Sequence, residues 1–114
     1  MKQTIFVATL LLILSGCQSM TPQYYYGSYE RNLYDFFRGD GQSLEQQIHQ
    51  LESSIARAEV KQISPAPGMY AHLGYLYLMQ GDNGKGFAYF EQEKQLYPES
   101  RQYIDFLLKN AQEE

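Results

Sequence analysis

The chain holds one cysteine, Cys17, two histidines, His49 and His72, and thirteen carboxylates, and these bound the chemistry open to it. A metal site needs ligands at set spacing, but neither histidine has an HxxxH or HExxH neighbour. The two also fall on different predicted helices, so no metal site is expected. Nucleophilic catalysis needs a base beside the nucleophile, and no Ser-His-Asp or Cys-His arrangement is readable. Glu91 and Glu93, two residues apart, point to different sides of a helix and would not share a proton. Gly81-Asp82-Asn83-Gly84-Lys85-Gly86 has the glycines and lysine of a phosphate cradle. A Walker loop, however, spaces its glycines by four residues and follows the lysine with a hydroxyl to reach magnesium; here the spacing is two and Gly86 follows. It also lacks the alternating acidic ligands of a calcium loop, and reads as a turn between helices. The expectation is a protein without enzymatic activity, cofactor or metal.

Cys17 is the exception, because of what precedes it. Met1-Lys2-Gln3 gives a cationic start, Thr4 to Leu14 an apolar run, and Ser15 and Gly16 a small-residue cut site, the pattern of a secretory signal peptide. Eleven helical residues rise about 16 Å, well short of the roughly 20 residues needed to cross a bilayer. Leu14, Ser15, Gly16 and Cys17 together resemble the lipobox of bacterial lipoproteins. That resemblance implies cleavage before Cys17 and acylation of its thiol and new amino terminus. Buried acyl chains contribute about 0.8 kcal/mol per CH₂, so several on one residue make a durable anchor. As the sole cysteine, Cys17 leaves no intramolecular disulfide to form. An aspartate after the modified cysteine tends to retain such lipoproteins in the inner membrane. Gln18 stands there instead, which implies the outer membrane, facing the periplasm.

Cleavage leaves 98 residues, one domain at most, with 8 basic and 13 acidic side chains and a formal charge of −5. An acidic chain without a basic cluster is unsuited to nucleic acid. All eleven tyrosines lie in this mature part, and there is no tryptophan. Tyrosine supplies large amphipathic contact area at low entropic cost, in small cores and on partner-facing surfaces alike.

Three parts follow: the signal peptide (1–16), a lipidated tether with an aromatic-rich segment (17–42), and a helical domain (43–114). Gln18 to Gln23 is polar and carries Pro22, as a tether would. Tyr24 to Phe37 gathers aromatics, and Arg38-Gly39-Asp40-Gly41 closes it as a loop. Ser43 with Gln46 three residues on forms a capping box. Leu44, Ile48, Leu51, Ile55 and Ala58 then mark one apolar face, which predicts a helix over 43–62. Ser64-Pro65-Ala66-Pro67-Gly68 ends it. A last stripe of Ile104, Leu107, Leu108 and Ala111 predicts a helix over 100–112.

Between these, Tyr70, Leu73-Gly74, Tyr77, Phe90 and Pro98 resemble a tetratricopeptide repeat across Pro67 to Ser100, with Tyr70 in the usual place of tryptophan. The fold expected is all-α: a tetratricopeptide-like helix hairpin with flanking helices. Its core would hold Tyr70, Leu73, Gly74, Tyr77, Phe87, Phe90 and Pro98, with Gly74 letting the helices approach. Two departures stand out. Gly86 replaces the usual alanine, and Gly84 and Gly86 each cost about 1 kcal/mol relative to alanine in a helix. Glu93 replaces a small apolar residue, which predicts shallow packing there. One repeat is too short to bury a continuous core, so Tyr24 to Phe37 folding back, self-association or a partner peptide must fill the deficit.

The lipobox, the Leu33 to Phe37 aromatics, the capped helix, Tyr70 to Leu78 and Tyr97-Pro98-Glu99-Ser100 together resemble a family of small bacterial lipoproteins of unassigned function. That resemblance implies an envelope partner, a CsgG-like lipoprotein encoded alongside. The reading is a non-catalytic, membrane-anchored interaction scaffold, with the partner surface expected at Tyr24, Tyr25, Tyr26, Tyr29, His72, Tyr75 and Tyr89. The alternative is a structural lipoprotein that self-assembles as a homo-oligomer.

Overall fold

The computed structural model describes residues 1–13, 16, 20–39 and 41–113, and is predominantly helical. Leu14, Ser15 and Cys17 lie outside the described residues, as does Gln18; Gly16 is exposed. The first helix, α1 (Lys2–Ile13), covers the apolar leader, and no helix among the described residues is long and apolar enough to cross a membrane.

Helix α3 (Leu44–Lys61) is bounded by its capping box. The amide of Gln46 donates to Ser43 Oγ at 3.2 Å, and the Ser43 amide donates to Gln46 Oε1 at 3.1 Å. Its apolar face, Ile48, Leu51, Ile55 and Ala58, is buried, with Leu44 half-buried. Beyond it, Ser64–Pro65 is not a plain breaker: it forms a short strand, β2, paired in parallel with β1 (Tyr24–Tyr25). The packed unit therefore begins at Tyr24 and not at Ser43. The aromatic segment folds back, its helix α2 (Tyr29–Arg38) held against α3 by a polar seam. Ser28 Oγ lies 2.9 Å from Ser54 Oγ, and the buried Asn32 donates to Gln50 Oε1 at 2.7 Å.

Helices α4 (Met69–Met79) and α5 (Asn83–Leu96) form the hairpin, with Asp82 capping α5 by accepting from the Lys85 amide at 3.1 Å. A Cβ on Gly74 would sit 2.7 Å from the Gly86 carbonyl oxygen and 2.9 Å from the Phe90 ring. One on Gly86 would meet the Leu78 side chain at 2.7 Å. The helix-propensity cost of Gly86 is therefore offset by backbone-to-backbone approach. Phe90 is fully buried beside Ala71 and Ile104, the last from α6 (Arg101–Glu113).

Three core expectations need correction. Phe87 is 40% exposed, because the inward face of α5 runs through Gly86, Phe90 and Glu93, and one residue beyond Gly86 is rotated about 100° around the helix. Pro98 is exposed, since it opens a 3-10 turn (Pro98–Ser100) at the surface. Glu93, expected to loosen packing, has no exposed surface at all. The remaining core residues divide: Leu73, Gly74 and Tyr77 are buried, whereas Tyr70 is half-buried.

Gly74→Ala should force the α4–α5 contact apart. The expected loss is about 1–3 kcal/mol, the usual range for overpacking, read from the denaturant midpoint at unchanged m-value.

Candidate functional site

Two constructions on α4 define the site: a clamp at its amino terminus and a cleft along its side. At the clamp, Gly68 caps the helix at φ 92°, and its amide donates to Glu93 Oε1 at 2.6 Å. Ser100 Oγ donates to the same oxygen at 3.2 Å. The carboxylate thus sits at the positive end of α4, where a helix favours an anion. Burial pushes the Glu93 carboxyl above the ordinary carboxylate range, opposed by the Gly68 and Ser100 bonds and by the nearby amide dipoles of Ala71 and Tyr70. Tyr29, from α2, closes the other side: a Cβ on Gly68 would lie 2.5 Å from its hydroxyl. Burial, with the Glu93 charge beside it, raises that phenol to about 12. Tyr97 completes the junction, donating its hydroxyl proton to the Pro65 carbonyl while its ring meets Tyr24 edge-on at 5.8 Å.

The cleft, of about 560 Å³, lies between α2, α4 and α6, with the start of α5 at one end. Phe36 and Phe37 form one wall, His72 and Tyr75 the floor, and Tyr103 and Leu107 the opposite wall. Among the described residues, none that lines it carries a formal charge. Such a half-apolar, aromatic-lined concavity is within the size range of ligand and peptide sites.

His72, expected on the partner surface, is instead buried, only 9% exposed. The α2 helix lies across it, with the Phe36 ring edge-on at 5.1 Å and Tyr29 at 6.3 Å. Burial lowers its pKa to about 4, so the imidazole is neutral at physiological pH. Tyr75 reaches the cleft and packs on Phe36 at 6.0 Å. Tyr89 does not join it. It stacks between Tyr70 (6.1 Å) and Tyr77 (5.6 Å), where Glu52 of α3 accepts the hydroxyl protons of Tyr77 and, at 3.4 Å, of Tyr89. Tyr24 and Tyr25 are half-buried in the β1 strand, and Tyr26 is exposed. The expected surface therefore splits: Tyr29, His72 and Tyr75 line the cleft, and the other tyrosines do not. The sequence reading missed Phe36, Tyr103 and Leu107 as cleft residues. Leu33, Phe36 and Phe37, spaced as one helical face, were the available signal. Among the described residues no group of three His, Cys, Asp or Glu could hold a metal ion. His49 is exposed on α3, away from His72 on α4.

Fold and leader together define a small all-α lipoprotein. Residues 1–18 match the prokaryotic membrane lipoprotein lipid attachment site, which makes the chain a membrane-anchored protein of the cell envelope, held through its lipidated cysteine. Residues 23–107 match the family described as Domain of unknown function (DUF4810), and the chain belongs to it. No curated protein and no solved structure matches the chain.

Two opposed pH effects should follow. His72 has a depressed pKa in the fold, so the stability of keeping it neutral is present above about 6.5 and is lost as pH falls toward about 4. That loss is worth ~3 kcal/mol, and His72→Phe removes it. Glu93 has a raised pKa, so its protonated form favours the fold, and stability is lost as pH rises above 4.5 through the folded value. The stability of Glu93→Gln relative to the native chain should therefore increase with pH. Denaturant midpoints of the three proteins between pH 4 and 8 check both slopes.

Proposed function

We propose that this lipoprotein is a non-catalytic docking scaffold whose cleft receives an uncharged, apolar segment of an envelope protein partner. The observation that carries the reading is an open aromatic cleft of about 560 Å³ whose lining, among the described residues, holds no formal charge, in a chain where 19% of residues are charged. Charged side chains are depleted and aromatic ones enriched where interface cores form. The arrangement of the helices supports a tetratricopeptide-like assignment: α2, α4 and α6 face the cleft, while α3 packs behind. A repeat array offers its binding surface along such a concave side. The anchor on Cys17, with Gln18 after it, supports placement in the outer membrane facing the periplasm. A CsgG-like lipoprotein is the partner to test first.

Phe37 and Tyr103 stand on opposite cleft walls, 79% and 55% exposed, so charging them leaves the core alone. In affinity isolation of the acylated protein from solubilised envelopes, Phe37→Asp with Tyr103→Asp should reduce recovery of the CsgG-like partner by about tenfold or more. Stability should change by only about 0.5 kcal/mol per exposed site. Undiminished recovery would contradict docking in the cleft. Recovery of the native protein only with itself would favour the self-assembling alternative.

A further inference from the structure

Tyr24 is the first residue of the packed unit, fixed by backbone pairing with Ser64 and by its edge-on contact with Tyr97. Six residues, 18 to 23, separate it from the lipid-bearing Cys17. Fully extended, that connection reaches about 25 Å at 3.3–3.6 Å per residue. The β1–β2 end of the domain is thus confined to the immediate neighbourhood of the bilayer surface, whatever the rest of the protein binds.

The side chains at that end suit such a place. Tyr26 follows β1 directly and is 46% exposed. Tyr25 lies beside it, and the Lys61 ammonium, at the end of α3, stands 5.9 Å from the Tyr25 ring centroid. Val60, next to Lys61, is almost fully exposed. Tyrosines with an apolar body and a polar tip settle at the headgroup level of membranes, and a lysine there lays its stem along apolar surface with its charge in water. A formal charge of −5 on the mature chain gives no general attraction to anionic lipid, so proximity and amphipathic side chains must supply the contact.

We propose that the β1–β2 end, with Tyr25, Tyr26 and Lys61 at its surface, is a bilayer-contact face that rests at the lipid headgroup region. The lipids on Cys17 hold the protein to the membrane, and this face fixes its orientation. The inference depends on lipid attachment alone and is independent of what the cleft docks.

The chain has no tryptophan, so a single introduced one reports its own surroundings. Acylated mature protein carrying Tyr26→Trp is placed in phosphatidylcholine nanodiscs containing lipid brominated at shallow acyl positions. Its emission is compared with that in discs of unbrominated lipid. The control is Met79→Trp, at the opposite end of α4, about 15 Å along that helix from β2. The Tyr26→Trp protein should lose about half its emission, as an interfacial ring does, while the Met79→Trp protein is unchanged. Val60→Trp, at an exposed position, should be quenched as well and serves if Tyr26→Trp does not fold. Equal quenching at both ends, or none at residues 26 and 60, would overturn the proposal.

Discussion

The buried carboxylate of Glu93 is the interaction on which the rest of the domain depends. It ties the start of α4 to the last turn of α5 through the Gly68 amide, and to the 3-10 turn before α6 through Ser100. Tyr29 of α2 packs over the same glycine. The junction thus touches or adjoins all three helices that frame the cleft, with α2 held as well by its polar seam to α3. Burying a carboxylate costs several kcal/mol when its charge has no compensation. The helix amino terminus and two donors offset much of that, though not all, which is why the group remains a weaker acid than usual.

The two sides of α4 then differ. Behind α4, Leu51, Leu73 and Leu76 make an apolar core with α3, and the Tyr70-Tyr89-Tyr77 stack seals its edge under Glu52. Toward α6 the filling is smaller, Ala71 and Phe90 meeting Ile104. The α2 and α6 helices stand to either side, and aromatic walls are left open between them. A domain of this size cannot leave apolar surface uncovered without cost, and that cost is what the proposed docking in the cleft would relieve. The lipid anchor supplies residence at the membrane, and under the proposed function the cleft supplies selectivity.

Local signals in the sequence were legible where the chain decides its own conformation. The Ser43–Gln46 capping box marks the start of α3 to the residue, and the proline-glycine run after Ile63 marks its end. Of the Leu73-Gly74 pair, Gly74 stands in the α4–α5 contact and Leu73 in the core with α3. What failed were residues whose role is set by distant partners. Glu93 looks like a flaw inside a repeat pattern, because the amide that requires it lies 25 residues upstream at Gly68. His72 looks like a surface residue on α4, because the helix covering it docks through Ser28–Ser54 and Asn32–Gln50, hydrogen bonds that leave no apolar periodicity. The β1–β2 pairing is two residues long, below any readable alternation. The family match from residue 23 agrees with the packed unit that begins at Tyr24.

Hydrogen exchange at the Gly68 amide tests the Glu93 junction most directly. A donor held by a buried carboxylate opens only when the domain does, so its protection should approach that of the α3 core amides and collapse in Glu93→Ala. A Gly68 amide that exchanges in the native protein as quickly as a frayed helix end, with the α3 core still protected, would contradict the clamp and the cleft built upon it.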